Sequence, residues 1–214
     1  MESTLWQGAE EAERESDGFL TGLAVGVVTD NQDPDKLARV RVRLPWHASG
    51  DTSYWARSAM PMAGNDRGSY FLPEIGDEVL VGAEEGDPSH LYVLGMLWNG
   101  KEKPPANNDD GANNTRVIKS RSGHTVRFND DASAPEIELK LADGKQVLLD
   151  NDGIIINDAN RNVITFNASS GAIEISAVQQ LTLKAANVSI EATAAMNVKS
   201  SGTLTLKGSI VQIN

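Results

Sequence analysis

Residues 181–214 read LTLKAANVSIEATAAMNVKSSGTLTLKGSIVQIN and contain no aromatic residue, no proline and no cysteine. Apolar residues recur there in pairs, with one polar or small residue between the two members, which is typical of short strands with one buried face. The pairs are Leu181/Leu183, Val188/Ile190, Met196/Val198, Leu204/Leu206 and Val211/Ile213, preceded by Ile173/Ile175. This is an internal repeat of one short strand every seven or eight residues.

The repeat creates a packing problem, because a β-helix wound from one chain needs roughly 20 residues for each closed coil. Leaving the twelve aliphatic side chains in water would forfeit about 20–35 kcal/mol, more than the roughly 5–15 kcal/mol that stabilises a typical domain. Three copies wound together would close the coil and bury the pairs on a common axis. The predicted trimer core consists of Leu181, Leu183, Val188, Ile190, Met196, Val198, Leu204 and Leu206.

The alternative for this region is an ordinary or amyloid-like meander of short strands. A meander with a core of its own would normally recruit large aromatic side chains. After Phe128 the only aromatic residue is Phe166. The sequence therefore favours the intertwined trimer over the meander.

Composition narrows the class of protein. The chain has 214 residues, a net charge of -11, a pI near 4.7 and no cysteine, which excludes disulfides and thiolate metal sites. Its first twenty residues carry six carboxylates, unlike a secretory signal, and no 18-residue apolar run occurs. We expect a protein made and kept in the cytoplasm during assembly, or exported by a route its own sequence does not encode. The acidic balance argues against a nucleic-acid partner.

The chain divides into four predicted regions. Residues 1–17 form an acidic arm, residues 18–100 a small barrel, residues 101–115 a polar linker and residues 116–214 the strand-rich needle. Glycine and proline residues separate five strand-like runs in the barrel region: LAVGVVTD, ARVRVRLPW, SYWARSAM, DEVLVGAEE and HLYVLGML. Further short strands and polar turns, including RSGH, NDDASAP, LADGK and NDANRN, come after the linker.

The second barrel strand alternates regularly. Its arginines, Arg39, Arg41 and Arg43, are predicted to point outward, while the intervening aliphatic residues, Val40, Val42 and Leu44, point into the barrel. Asp33-Pro34 sets the turn that precedes this strand. Because residues 19–100 hold eleven carboxylates and six lysines or arginines, we expect the arginines to form interchain or partner salt bridges rather than to bind nucleic acid.

Four stretches resemble one known family. They are VGVVTDNQDPDKLARVRVRLPW, the YWARSAMPMAGNDRGSYFLPEIGDEVLVGAEEGDPSHLYVLGMLWN run, KSRSGHTVRFNDD, and the terminal repeats ending GSIVQIN. Together they span roughly residues 18–214 and resemble the central spike of contractile tails, that is, phage baseplate assembly protein V and the related VgrG proteins. The resemblance implies an oligonucleotide/oligosaccharide-binding (OB) type barrel followed by a triple-stranded β-helix.

The resemblance also implies partners. Three barrels would attach to a tail hub protein, and the needle would puncture the target envelope, touching it transiently, when the sheath contracts. No histidine lies near the end of the chain to hold a metal at an apex, so a separate PAAR-type tip protein is expected there. The predicted docking residues are Ser209, Ile210, Val211, Gln212, Ile213 and Asn214. The hub domain and the lysozyme insertion of some relatives have no counterpart in these 214 residues.

Three short motifs have some of the features of chemical sites. DNDGIIIND from Asp150 resembles the opening of a calcium loop, but its twelfth position is Arg161 rather than a bidentate glutamate, which favours an ordinary turn. Ser122-Gly123-His124 lacks a third orienting group and is interpreted as a hairpin turn. Adjacent carboxylates such as Asp130/Asp131 diverge on a strand and do not form acid/base pairs. No catalytic residue, cofactor or metal site is predicted.

The predicted function is mechanical: a homotrimeric, non-enzymatic spike of a phage tail or contractile particle. Two alternatives remain at this point. A trimeric tailspike that hydrolyses polysaccharide would need converging carboxylates and stacking aromatics along the needle. An OB-type nucleic-acid-binding module with a stalk would show a steep salt dependence of binding.

Overall fold

The computed structural model describes residues 20–45 and 52–213. The predicted acidic arm, residues 1–17, lies outside the described residues, as does Asn214. The chain divides into two compact units, Met1–Asp109 and Asp110–Asn214. Throughout the described ranges the regular secondary structure is strand, so the predicted all-β class is confirmed. Among those residues no helix is long and apolar enough to cross a lipid bilayer.

The first unit contains seven strands. Five form one sheet in the order β2-β1-β6-β7-β3, and β4 and β5 form a separate two-stranded ribbon. Their bounds are β1 Leu23–Asp30, β2 Arg41–Arg43, β3 Arg57–Ser58, β4 Ala63–Gly64, β5 Arg67–Gly68, β6 Glu78–Glu84 and β7 Asp87–Leu97. All five runs predicted as barrel strands contribute to the larger sheet.

The two edges of this sheet meet, which closes it into a barrel. Val40, just before β2, and Ala56, just before β3, form an antiparallel bridge in which each backbone N–H donates to the other residue's carbonyl, at 3.0 and 2.8 Å. Ser53 extends the seam by donating its backbone N–H to the carbonyl of Val42 at 2.8 Å. Closure removes the open edges on which a small sheet would otherwise aggregate.

The barrel core is aliphatic and fully enclosed. Val40 and Val42 are completely buried and Leu44 nearly so, while the arginines that alternate with them are half-buried or exposed, as the alternation predicted. They pack in one cluster of buried residues: Ala24, Val28, Val40, Val42, Leu44, Ala56, Val79, Val81, Leu91 and Val93. This unit therefore has its own core and needs no partner to bury it.

Asp33 organises the loop between β1 and β2. Arg39 donates to it from Nη2 at 2.6 Å and from Nε at 2.9 Å, and the backbone N–H groups of Asp35 and Leu37 donate at 3.0 and 2.9 Å. The hydrogen bond from Arg39 is the main reason that the pKa of Asp33 lies well below its ordinary value. Pro34 occupies the predicted turn, where Lys36 donates its N–H to the carbonyl of Asp33 at 3.1 Å.

We predict that Asp33→Asn destabilises the barrel at neutral pH. A carboxylate with a lowered pKa stabilises the folded state above its unfolded pKa, about 3.9, and that contribution is lost as pH falls toward the folded pKa. The Tm of the variant should be lower by roughly 4–8 °C at pH 7, and the gap should narrow below about pH 4. Asp35→Asn is the control, because Asp35 is exposed and accepts one bond from Arg39. Equal losses in both variants would contradict the role assigned to Asp33.

The second unit begins with an antiparallel meander. Seven five-residue strands pair with their neighbours in sequence, in the order β14-β13-β12-β11-β10-β9-β8. The strands are β8 Thr115–Lys119, β9 Thr125–Asn129, β10 Glu136–Lys140, β11 Gln146–Asp150, β12 Gly153–Asn157, β13 Val163–Asn167 and β14 Ala172–Ser176. The predicted turns, from RSGH to NDANRN, lie between them. In this stretch the backbone pairs within one chain, as in an ordinary meander, so the intertwined coil stays a prediction for residues 177–214.

Residues 177–213 form no strand within the chain. Among the described residues, no backbone-to-backbone hydrogen bond joins this segment to itself or to the rest of the chain. Bends recur at 178–179, 186, 193–194, 201–202 and 209, with no helix or strand between them. The seven-to-eight-residue repeat of the sequence is thus present as a repeated conformation, but the predicted strands have no partner in the same chain.

Candidate assembly surface

The meander segregates its side chains onto two faces because directly paired residues of an antiparallel sheet point the same way. One face, called here the apolar face, consists of two rows that cross the sheet. The first row begins with Arg116 and continues with Phe128, Ile137, Leu149, Ile154, Phe166 and Ile173; the second is Ile118, Val126, Leu139, Val147, Ile156, Ile164 and Ile175. Thirteen large apolar side chains therefore share one side of the sheet.

Nothing within the described chain covers the apolar face. Its two aromatic residues, Phe128 and Phe166, are 42% and 38% exposed, and Ile173 is 66% exposed. Among the described residues of the second unit, the only buried one is Glu138, which is charged, whereas all ten buried hydrophobic residues lie in the barrel. Leaving this face uncovered forgoes hydrophobic stabilisation on the order of 10 kcal/mol, which is comparable with the whole free energy of unfolding of a typical domain. The second unit therefore lacks a core of its own.

The opposite face of the meander carries charge. Arg127 forms ion pairs with Glu136 and, at 3.5 Å, with Glu138, and Lys140 reaches Glu138 at 3.4 Å. The central row of this face is Val117, Arg127, Glu138, Leu148, Ile155, Thr165 and Glu174. These ion pairs give the charged groups of this face their partners within one chain, whereas the side chains of the apolar face stay uncovered, so the apolar face is the one available for assembly.

The side chains of the apolar pairs in residues 181–213 are also exposed. The first members of the five pairs are 50–58% exposed and the second members 66–85%. This ordering holds in every repeat, so the segment repeats one conformation along its length. The eight residues predicted as trimer core are all exposed in the single chain; their burial between copies stays a prediction.

The backbone of residues 177–213 also has no backbone partner among the described residues. The hydrogen bonds found there all involve a side chain, as where the backbone N–H of Val178 donates to Oδ1 of Asn162 at 2.9 Å. A chain segment whose N–H and C=O groups have no backbone partner is a template for strand addition. Strand β14, exposed at every residue, offers a free edge next to them.

We predict that Ser189→Pro weakens assembly more than Ser189→Ala. Ser189 lies between Val188 and Ile190, so proline there removes one backbone donor without touching the apolar pair. If the donor pairs with another chain, the proline variant should lower the Tm of the oligomer by several degrees, while the alanine variant, which keeps the N–H, should change it little. Thermal melts followed by circular dichroism make the comparison. Indistinguishable melts would show that this backbone group has no partner.

The docking site predicted at residues 209–214 for a tip protein stays a prediction. Ile210 and Ile213 are 79% and 85% exposed, the most exposed large hydrophobic residues of the described chain. Ser209 lies at the last bend. Exposure at these positions leaves the end of the chain available for a partner, and Asn214 is outside the described residues.

The motifs with features of chemical sites lie in turns. Asp150 accepts backbone N–H groups from Asp152 and Gly153 at 2.9 and 3.1 Å, so its carboxylate closes the β11–β12 hairpin. His124 ends the β8–β9 turn, where its N–H meets Oγ of Ser120, and its Nδ1 accepts the N–H of Ala142 at 3.1 Å. Within the described ranges, no group of three His, Cys, Asp or Glu residues is placed to hold a metal ion.

The three outward arginines of the barrel differ in their surroundings. Arg39 is already paired within the chain, with Asp33 and Asp35. Arg41 instead lies over the ring of Trp55, 4.8 Å from its centroid, and Arg57 of β3 lies 5.6 Å from that of Tyr92. Arg41 and Arg43 therefore remain available for a salt bridge to another chain or to a partner protein. Arg39 is already paired with carboxylates of its own chain.

Comparison with known proteins identifies the barrel. Residues 24–98 match the family model of the type VI secretion system/phage-baseplate injector OB domain. The barrel is thus similar to the injector OB domain. The matched range covers the five strands of the closed sheet except Leu23 at the start of β1, and the predicted OB-type barrel is confirmed.

Similarity extends beyond the injector OB domain into the second unit. The chain is 28% identical over 148 residues to the type VI secretion system spike protein VgrG1a of Pseudomonas aeruginosa, covering 63% of this chain and 23% of that protein. It is 25% identical over 155 residues to spike protein VgrG3 of Vibrio cholerae, covering 69% and 15%. A third relative, the actin cross-linking toxin VgrG1 of Vibrio cholerae, is 26% identical over 162 residues, covering 72% and 14%. The predicted resemblance to the spike family is confirmed, although the chain spans less than a quarter of these relatives.

Sequence reasoning missed part of the assembly surface. The predicted trimer core ran from Leu181 to Leu206, and upstream of it only the pair Ile173/Ile175 was counted among the side chains to be buried. The meander adds the other eleven residues of the apolar face. In β8 and β9 the register places Val117, Lys119, Thr125 and Arg127 on the charged face. Ile118 lies opposite Val126 on the apolar face instead. The sequence did contain a signal for this face. The apolar residues of β8 and β9 alternate as they do in the later strands, but the apolar set includes Ile118 and Val126, one residue after Val117 and Thr125.

Proposed function

We propose that this protein is the central spike of a contractile tail or injection particle, assembled as a homotrimer. The observation that carries the proposal is the absence of any buried hydrophobic residue among the described residues of the second unit, beside a barrel whose core is complete. An injector OB domain and relatives named as spike proteins support the same role. The barrel folds on its own, and the rest of the chain folds only with other copies.

Three copies suit the periodicity of the repeats. Each chain bends every seven or eight residues, so three chains contribute roughly 24 residues to one closed turn, close to what a β-helix requires. In such a coil each extended segment finds a strand from another chain, and the apolar pairs meet around the axis. This arrangement satisfies the free backbone groups and the exposed side chains together.

The role is mechanical rather than enzymatic. Sheath contraction supplies the force, and the spike transmits compression to the target envelope. A closed three-chain coil suits this because its backbone is fully paired and its aliphatic core is close-packed. The barrels attach to a hub protein, and residues 209–214 receive a PAAR-type tip protein. Assembly takes place in the cytoplasm, before the spike becomes part of the particle.

Labelling of whole particles tests this function. Contractile particles purified from the source cells would be incubated with antibody against the barrel and viewed by electron microscopy after mild disruption of the baseplate. We expect label at the centre of the baseplate, and immunoblots that show the chain in purified particles. Particles that are fully assembled without this chain would contradict the proposal.

A further inference from the structure

A cavity of about 460 Å³ opens on the barrel beside the seam that closes it. Its inner wall is apolar and is formed by Leu44, Pro88 and Leu91, and Trp55 and the exposed Tyr54 also line it. The volume is in the range of pockets that receive a small ligand or one anchoring side chain. No step of the proposed trimerisation uses this cavity.

Arg41 lines the same cavity and has an unmet hydrogen-bonding need. Its guanidinium lies over Trp55, but its Nε is buried and has no hydrogen-bond acceptor among the described residues. None of the ion pairs within the described ranges involves Arg41 either. A buried donor without an acceptor destabilises the folded state, and more so when the donor is charged. The guanidinium of Arg41 therefore lines the cavity without a carboxylate partner among the described residues.

The other charged group of the cavity, Asp87, is already satisfied. It accepts the backbone N–H of Ser89 at 2.8 Å and the Ser89 hydroxyl at 2.6 Å, and it lies 3.0 Å from Nδ1 of His90. The hydroxyl of Ser89 is the main reason that the pKa of Asp87 is lowered to about 2. Asp87 is thus ionised at neutral pH and held by its neighbours, which leaves Arg41 as the group that would select an occupant.

We propose that this cavity is a docking site for a partner protein that inserts an apolar side chain next to a carboxylate. The apolar side chain would pack on the wall formed by Leu44, Pro88 and Leu91, and the carboxylate would pair with the guanidinium of Arg41. Tryptophan, tyrosine and arginine are the residues that most often dominate protein–protein binding energy. A guanidinium also binds a carboxylate more strongly than it binds a neutral acceptor.

Charge separates this occupant from nucleic acid. Arg41 is the only lysine or arginine among the described residues that line the cavity, and Asp87 lies in the same wall. A polyphosphate chain would need several cations along its path and would meet the excess of carboxylates on this barrel. A single carboxylate attached to an apolar group needs one cation and an apolar wall, and the cavity supplies both.

The test uses 4-phenylbutyrate as a minimal probe and its neutral amide, 4-phenylbutyramide, as the matched control. Binding to the full-length protein would be measured by saturation-transfer NMR, with dissociation constants from titration. We expect the acid to bind roughly tenfold more tightly than the amide. Equal affinities would overturn the proposal without any variant, and so would binding of a decathymidine or of chitobiose in preference to the acid.

Two variants complete the test. Arg41→Gln should reduce the affinity for 4-phenylbutyrate to that for the amide, whereas Arg43→Gln, on the same strand but outside the cavity, should leave it unchanged. If both variants bind the acid as the parent does, Arg41 does not select the occupant and the proposal is wrong. The mass of the oligomer, measured alongside, reports on the proposed spike assembly separately, because neither arginine belongs to the apolar face.

Discussion

Replacing Ile156 with aspartate should convert the proposed trimer to a monomer, whereas Ile155→Asp should leave the proposed trimer intact. The two isoleucines are adjacent on β12, but Ile156 lies in the second row of the apolar face and Ile155 lies in the central row of the charged face. In the trimer, Ile156→Asp would bury three unpaired carboxylates close to one another, and each would cost several kcal/mol. Light scattering on both purified variants measures the outcome.

The pair of variants separates assembly from folding. Barrel folding, followed by near-ultraviolet circular dichroism, should be the same in both, because neither residue contributes to the barrel core. If Ile155→Asp also dissociates the protein, the two faces of the meander have been assigned incorrectly. If Ile156→Asp stays trimeric, the apolar face is not the surface that joins the copies.

A second large effect is expected from Gly153→Ala. Gly153 opens β12 with φ of +140°, a conformation that residues with a side chain rarely adopt, and an added Cβ would lie 1.7 Å from the carbonyl oxygen of Phe166. The strained backbone alone costs roughly 1–3 kcal/mol, and the overlap forces β12 and β13 apart. We expect the variant to lose the thermal transition of the second unit and to be recovered mainly as aggregate.

Gly202→Ala is the matched control for this prediction. Gly202 lies at a bend of the repeat segment, and an added Cβ there would meet no atom within 4 Å. The control should keep the oligomer and its melting behaviour. A Gly153→Ala variant that melts like the parent would show that the β12–β13 pairing is not needed for the second unit.

Local patterns in the sequence were enough to predict most of the fold. The alternation around Val40 and Val42 placed those residues in the barrel core, and the polar turns between the meander strands set their ends. What the patterns could not supply was the pairing partner. Short strands with tight turns look alike whether they pair within one chain or between chains, and the meander ends at Ser176 because the turns downstream no longer bring neighbouring strands together.

The candidate sites were predictable to different degrees. The apolar pairs of residues 181–213 were evident because alternation is a property of neighbouring residues. The cavity beside Arg41 was not, since it depends on the seam that brings Val40 to Ala56 and thereby Arg41 onto Trp55. Likewise, the sequence could not show that Arg39 is occupied by Asp33, because only the folded loop brings the two side chains together.

The mass of the purified protein in solution tests the central claim most directly. One chain has a mass of 22.9 kDa; three chains therefore give about 69 kDa, three times that value. Light scattering coupled to size-exclusion chromatography should return this trimer mass at every concentration down to the detection limit, because the second unit has no other way to bury its apolar face. A stable, folded monomer of 22.9 kDa would contradict the account.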